Sequence, residues 1–431
     1  MNKVVVLFIA LIFLNNCSFN ENSRIWNDQD KLKDDDNTKK IFEEEKKIVS
    51  EFNQGIKLDL SIIKDSSKTF DNLNNFGSQI YSGELNKIGN YKFSKWEDEK
   101  FFNLKPVFLS DGIIFFNKKG TIIRYDENQK VIWKQNHYLK SEQKLQPKLN
   151  FLLNKKNLFI TDNIAKYYSI NIDTGELNWS KMNTYPFNSD IKKFKEKAFV
   201  VDYKNTLRCF NIKDGSECWN LQTDDSFTIS NTKYSLIIID NNVIFSNSIG
   251  DITAVDVESG LISWQLPTQS SDIINNTYSF KFSKLVSDGK TIFFSNNKNQ
   301  FYAIDVKTGT INWINEISSN ITPAILGNLV LTISNDGFLF VVEKNNGNII
   351  RVTDLFLNYK NKKRKNINPE GFIIGSKKIY LTNSDGKMIV ADISLGNVSR
   401  IEKVFGSSVS EPFIFNNHLF VVRNGSVIQY N

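Results

Sequence analysis

Thr253-Ala-Val-Asp-Val-Glu-Ser-Gly-Leu-Ile-Ser-Trp264 and Tyr302-Ala-Ile-Asp-Val-Lys-Thr-Gly-Thr-Ile-Asn-Trp313 are two copies of one pattern. Each reads as an alternating apolar strand, a tight turn carrying a glycine, and a second strand ending in tryptophan. A glycine at a fixed place suits a hairpin whose turn needs a positive φ. The pattern returns as Tyr168-Ser-Ile-Asn-Ile-Asp-Thr-Gly-Glu-Leu-Asn-Trp179 and Arg208-Cys-Phe-Asn-Ile-Lys-Asp-Gly-Ser-Glu-Cys-Trp219. A shorter copy without the glycine ends at Trp133. Two more keep Gly347 and Gly396 but carry Arg351 and Arg400 in the tryptophan slot.

Ahead of each hairpin lies another β-rich run, such as Val243 to Asn247 or Thr291 to Ser295. A weaker apolar run, such as Leu236 to Asp240, often precedes it. That makes four strands per unit, all local antiparallel neighbours. With Trp96 as the first slot, successive slots are 37 to 49 residues apart. Four strands at that period are propeller blades. Seven intervals give seven blades. Three strands follow Arg400: Pro412 to Phe415, Leu419 to Val422 and Val427 to Tyr430. The stretch Ile88 to Trp96 supplies their missing fourth. The expected fold is therefore all-β: an eight-bladed β-propeller of four-stranded antiparallel blades over residues 76–431, closed by pairing of the N-terminal strand with the C-terminal strands. Closure removes the sheet edges that a linear array would expose. The tryptophans are expected to fill the wedges between blades, and the repeated aspartates to be structural.

The chain has 431 residues, 40% of them hydrophobic, enough for a large core. The net charge of +7 is spread among interspersed Lys, Asp and Glu. One dense basic run, residues 360–365, reads as a solvated loop, with an acidic partner as the alternative. No nucleic-acid fold motif accompanies it, so nucleic-acid binding is not expected. Only two histidines occur, His137 and His418. The commonest general base and metal ligand is thus nearly absent; both read as structural, and no metal site is expected.

Residues 1–16 read as an export signal. Lys3 gives a positive start, and Val4 to Leu14 is an apolar run too short to span a bilayer. Leu14-Asn-Asn-Cys17 resembles the bacterial lipobox, with Asn16 where that motif has a small residue. The resemblance makes Cys17 the lipidated N-terminus. With Ser18 rather than Asp behind it, it implies anchoring to the periplasmic face of the outer membrane. Residues 17–75 are polar and charge-rich, with few apolar side chains, and are expected to form a flexible tether. A short helix over 38–52 is the one element to expect there. Cys209 and Cys218 flank the third hairpin and are candidates for a cross-strand disulfide in an oxidising compartment.

The spacing Asp-x-x-x-Gly-x-x-x-Trp, eight units and a lipobox together resemble the quinoprotein (PQQ-like) propeller superfamily. Within it the chain is similar to the BamB family of lipoproteins of the outer-membrane β-barrel assembly machinery. That resemblance implies a non-enzymatic scaffold without cofactor. Such a scaffold binds the periplasmic POTRA domains of the barrel-forming subunit BamA and aids assembly of outer-membrane proteins. It places partner contacts in the loop after Trp219, where Phe227 and Ile229 match the apolar pair. Ser230 and Asn231 stand where a basic residue would follow. Exposed apolar residues on a rigid scaffold make reasonable anchors. Two other readings stay open: a quinone-dependent dehydrogenase, and a periplasmic propeller binding peptidoglycan or another ligand. Against the enzyme, the three cysteines include no adjacent pair and no Cys-x-x-Cys-His site.

Overall fold

The second strand of each unit is a nearly unbroken apolar run because both of its faces are covered by neighbouring sheets. In Gly112–Phe116, Asn242–Ser246, Thr291–Ser295 and Leu329–Ile333, all but the first residue are buried. The last strand of each unit lies at the rim, where Leu177–Met182 and Ile311–Asn315 are mostly exposed. These patterns assemble into eight sheets in a computed structural model describing residues 50–58, 78–94, 105–224, 232–268, 281–406 and 408–431.

Seven blades follow in sequence. They begin at inner strands Val107–Leu109, Leu149–Asn154, Lys192–Phe194, Leu236–Ile239, Val286–Ser287, Ala324–Leu326 and Pro369–Gly375. The eighth holds Val409–Phe415, His418–Arg423 and Ser426–Tyr430, with Lys87–Lys92 as its outer strand. The expected closure is present: Asn90 pairs with Ile428 and Tyr91 with Val427. Trp96, taken as the first slot, lies outside the described residues.

Two features depart from four plain strands per blade. Ser78–Gln79 runs parallel to blade 7's inner strand, opposite Ile374 and Gly375, so that this sheet has five strands. Behind it, Tyr81 is fully buried against Tyr380, and its hydroxyl donates to the Asn431 carbonyl at 2.8 Å. The second feature is a strap, residues 51–58, within the stretch expected to be tether. Phe52 and Val352 exchange two backbone hydrogen bonds of 3.0 Å, and Leu58 N–H donates to Ser394 O. Leu58 is buried in the apolar cluster of blades 6 and 7. The strap thus extends blade 6 at its open outer edge. The anticipated helix over 38–52 lies outside the described residues except at its end, where Phe52 is extended and bridged.

Candidate functional site: blade seams and channel mouth

The repeat motif does one job, locking each blade to the next. The Asp or Asn that opens each turn accepts from backbone N–H groups within it: Asp256 from Glu258 and Ser259, and Asp305 from Lys307 and Thr308. The glycine sits at φ +73° in Gly260 and +70° in Gly309, where a Cβ is disfavoured. One residue before the slot, the outer strand bulges, between Ile262 and Trp264 in blade 4 and between Ile311 and Trp313 in blade 5. A bulge re-aims the next side chain, here onto the following blade. Trp219 lies on Gly260, Trp264 on Gly309 and Trp313 on Gly347. The indole N–H of Trp133, Trp219, Trp264 and Trp313 donates to Ile172, Val257, Val306 and Lys344 carbonyls of the following blade. Trp179 keeps the packing, on Gly215, without that bond.

Arg351 performs the same task by other chemistry. It is fully buried, packs on Gly396 and donates from Nη2 to the Ile393 carbonyl at 2.6 Å. Its Nη1 donates to Ser394 O at 2.5 Å and to Ile56 O, on the strap, at 3.1 Å. Guanidinium has more donors than indole, so this slot ties three chain segments together where a tryptophan ties two. Arg400 likewise donates to Glu84 O at 2.8 Å, on the segment leading into blade 8.

At the channel mouth, one seat recurs at the start of inner strands. Ser189, Ser283 and Ser410 each donate to the carbonyl of the next residue and accept a backbone N–H from the neighbouring strand. The residues that follow them are Asp190, Lys284 and Glu411. Lys284 of blade 5 meets Glu411 of blade 8 across the channel at 2.7 Å. Lys233 of blade 4 reaches Asp190 at 3.3 Å and Asn150 of blade 2. Burial works against the Asp190 charge, but Lys233, Lys284, Lys192 and Lys105 together outweigh it and hold the carboxyl well below its usual range. Burial disfavours the Lys284 charge too, and Glu411 and Asp190 more than offset it, raising that ammonium's pKa. Next to this group, burial pushes Glu370 up against a hydrogen bond from Ser408.

A second buried group, in blade 2, is structural. Asp162 is fully buried and accepts from the Tyr138 hydroxyl at 2.6 Å and from the N–H groups of Ile164 and Lys166. Burial dominates these bonds and pushes its carboxyl from 3.8 up to about 6. The folded state therefore holds this proton more tightly than the unfolded chain. This group's contribution to stability rises as pH falls through about 6 and is complete near 4. Urea denaturation at pH 7 and pH 5 should show Asp162→Asn lacking a gain at pH 5, on the order of 1–2 kcal/mol, that the wild type has. Equal gains in both proteins would refute that assignment.

Cys17, Phe227 and Ile229 lie outside the described residues. The connection carrying Phe227 and Ile229 leaves blade 3's outer strand, Glu217–Gln222, and enters blade 4's inner strand. Cys209 and Cys218 are free thiols, one buried and one exposed. The bulge explains their offset: Cys209 pairs with Trp219, and Cys218 is the residue looped out between Glu217 and Trp219. Burial, then the neighbouring Cys218 side chain, raises the Cys209 thiol pKa. Native alkylation should therefore label Cys218 alone, with Cys209 reacting only on unfolding; protection of both until reduction would reveal a disulfide. The basic run folds as one helical turn, Asn361–Arg364. Arg364 pairs with Asp354 and Lys363 with Asp385, while Lys360, Lys362 and Lys365 are exposed. His137 packs beside Tyr168 and bonds the Gly175 carbonyl at 3.0 Å. Among the described residues no cluster of His, Cys, Asp and Glu could hold a metal ion.

Residues 118–353, more than half of the chain, match the family model described as outer membrane protein assembly factor BamB. The chain belongs to this family. Among solved structures, BamB from Moraxella catarrhalis is 16% identical, with 80% of this chain and 97% of that one covered at a TM-score of 0.62. Quinohemoprotein alcohol dehydrogenase from Comamonas testosteroni shares the fold at 10% identity and a TM-score of 0.61, over 86% of this chain and 82% of that one. A europium-containing methanol dehydrogenase does so at 11% and 0.61, over 85% and 90%. No curated protein sequence matches. The similarity in shape is equal for BamB and dehydrogenases and shows the PQQ-type propeller fold; the family model sets the chain with BamB.

The charged seats were not read from the sequence. The faint signal was there: a serine before a charged residue, as in Ser189-Asp190, Ser283-Lys284 and Ser410-Glu411. It falls at inner strands of two or three residues in blades 3 and 5, which leave too little alternation to anchor a register.

Proposed function

We propose that this chain is a lipid-anchored, non-enzymatic scaffold of outer-membrane β-barrel assembly, tethered through Cys17 to the periplasmic face of the outer membrane. In this reading the body is residues 76–431 with the strap, and it binds the POTRA domains of BamA. The observation that carries it is the BamB family match over residues 118–353. Fully buried second strands and cross-blade bonds at the Trp and Arg slots support a rigid ring that presents loops. Phe227 and Ile229, on the connection from blade 3 to blade 4, are the proposed anchors.

Affinity purification from detergent-solubilised membranes tests this. Wild-type chain should recover BamA; Cys17→Ala should leave the chain soluble in the periplasm; a Phe227→Asp, Ile229→Asp double variant should stay folded and lose BamA. Recovery of no barrel-assembly subunit by the wild type would overturn the reading. Quinone absorbance in the purified protein with quinone-dependent dye reduction would replace it with the dehydrogenase one.

A further inference from the structure

Blade 3 carries two thiols at its outer hairpin. Its outer strand bulges at Cys218, which is looped out between Glu217 and Trp219, opposite Cys209. In blade 2 the same two places hold Asn178 and Ser169, and Asn178 Nδ2 donates to Ser169 Oγ at 3.1 Å. In blade 7 they hold Ser399 and Val390, and Ser399 Oγ donates to the Val390 carbonyl at 3.0 Å. The bulge thus turns the looped-out side chain back over the residue that faces the slot. Facing residues of antiparallel strands stand about 4.5–5.5 Å apart at Cα, within the range of about 4.4–6.8 Å that a disulfide spans. The two thiols differ in access. Cys218 is exposed, while Cys209 is fully buried among Phe199, Trp219, Val255 and Val257 at the seam with blade 4. A reagent in solution therefore meets Cys218 first and reaches Cys209 only through it.

We propose that Cys209 and Cys218 form a reversible redox site for small-molecule disulfides, with Cys218 as the entry thiol and Cys209 as the resolving one. The Cys218 thiolate attacks one sulfur of the incoming disulfide. A mixed disulfide forms, and the departing thiolate takes up the proton that Cys218 lost. The Cys209 sulfur then attacks Cys218 and expels the second half of the small molecule, which leaves with the Cys209 proton. The chain loses two protons and two electrons, and the small disulfide is reduced to two thiols. Burial, and then the Cys218 side chain, favour the protonated Cys209, so the second step is the slower one. The new bond staples together the two strands of the hairpin that carries Trp219, the residue that locks blade 3 onto Gly260 of blade 4. The inference is independent of the scaffold reading, since the site needs no partner protein.

Glutathione disulfide is the probe, added to the purified, fully reduced chain without denaturant and followed by intact mass and peptide mapping. The wild type should lose two hydrogens, yield a crosslinked peptide joining Cys209 to Cys218, and regain both thiols with dithiothreitol. Cys209→Ser should stop at the mixed disulfide and hold roughly tenfold more glutathione on Cys218 than the wild type. Cys218→Asn should take up no glutathione at Cys209. Both replacements already stand at these places in blade 2, as Ser169 and Asn178, so both variants should fold. The oxidised wild type should unfold at a higher denaturant concentration than the reduced one, because the bond closes a loop in the unfolded chain. A wild type that keeps glutathione on Cys218, or keeps Cys218 open to alkylation after the treatment, would overturn the proposal. So would a bond that involves Cys17, or an oxidised chain that unfolds no later than the reduced one.

Discussion

Arg351→Ala should destabilise the ring by about 3–5 kcal/mol and release the strap at the same time. The side chain is fully buried and donates to the carbonyls of Ile56, Ile393 and Ser394. Truncation takes this donor from the buried Ile393 carbonyl and from the part-buried carbonyls of Ile56 and Ser394, the last of which keeps the Leu58 N–H. An unsatisfied buried group costs about 1–3 kcal/mol, and the cavity opened against Gly396 adds to it. Equilibrium denaturation reads the first effect. Limited proteolysis between residues 51 and 58 reads the second, because Ile56 is tied to blades 6 and 7 through this guanidinium. Arg351→Trp separates the two. An indole at this slot restores the bond to Ile393 that its counterparts make in other blades, so ring stability should recover in large part. The strap should stay cleavable, since indole has no donor left for Ile56. An uncleavable strap in Arg351→Ala would refute the lock.

Gly309→Ala should destabilise by roughly 2–5 kcal/mol, although alanine is the smallest side chain that can be added. Two penalties combine. At φ +70° the residue is left-handed, which costs an L-amino acid about 1–2 kcal/mol. A Cβ would also stand 2.5 Å from Cε3 of Trp264 and 2.6 Å from Cδ2, in a seam where the indole is fixed by its bond to Val306. Gly289→Ala is the control. It carries the same kind of φ, +91°, but a Cβ there meets nothing within 4 Å. Its loss should stay near the backbone penalty alone, about 1–2 kcal/mol. Equal losses at Gly289 and Gly309 would mean that the tryptophan does not lean on the turn of the next blade.

Both predictions concern residues whose positions were legible in the sequence while their contacts were not. Gly309 and Trp264 announce themselves by period and spacing, and the wedge role of the tryptophan follows from that. That its partner is the glycine of the next repeat is a contact between units, decided by the bulge before the slot. Arg351 and Arg400 were visible as exceptions at the tryptophan slot. The reason for the exceptions, a third chain segment needing a donor, is visible only when the strap and the segment at Glu84 lie against blades 6, 7 and 8.

The candidate site was legible to a smaller degree. Lys284 and Glu411 are 127 residues apart and meet across the channel; Lys233 and Asn150 are 83 apart. Apart from the serine that precedes Lys284 and Glu411, nothing local distinguishes these charges from the many other lysines and glutamates of the chain.

The sequence by itself determined the repeat, the hairpin chemistry, the number of blades and the sharing of the eighth between the two ends. These are periodic or local, set by alternation every second residue and by turns that only certain residues tolerate. The tertiary structure alone decided which blade meets which side chain, where the strap attaches and which charges converge at the channel mouth. Those contacts join residues as far apart as Arg351 and Ile56, 295 positions, or Arg400 and Glu84, 316 positions. Closure of the ring brings such pairs together, and no short-range pattern encodes them.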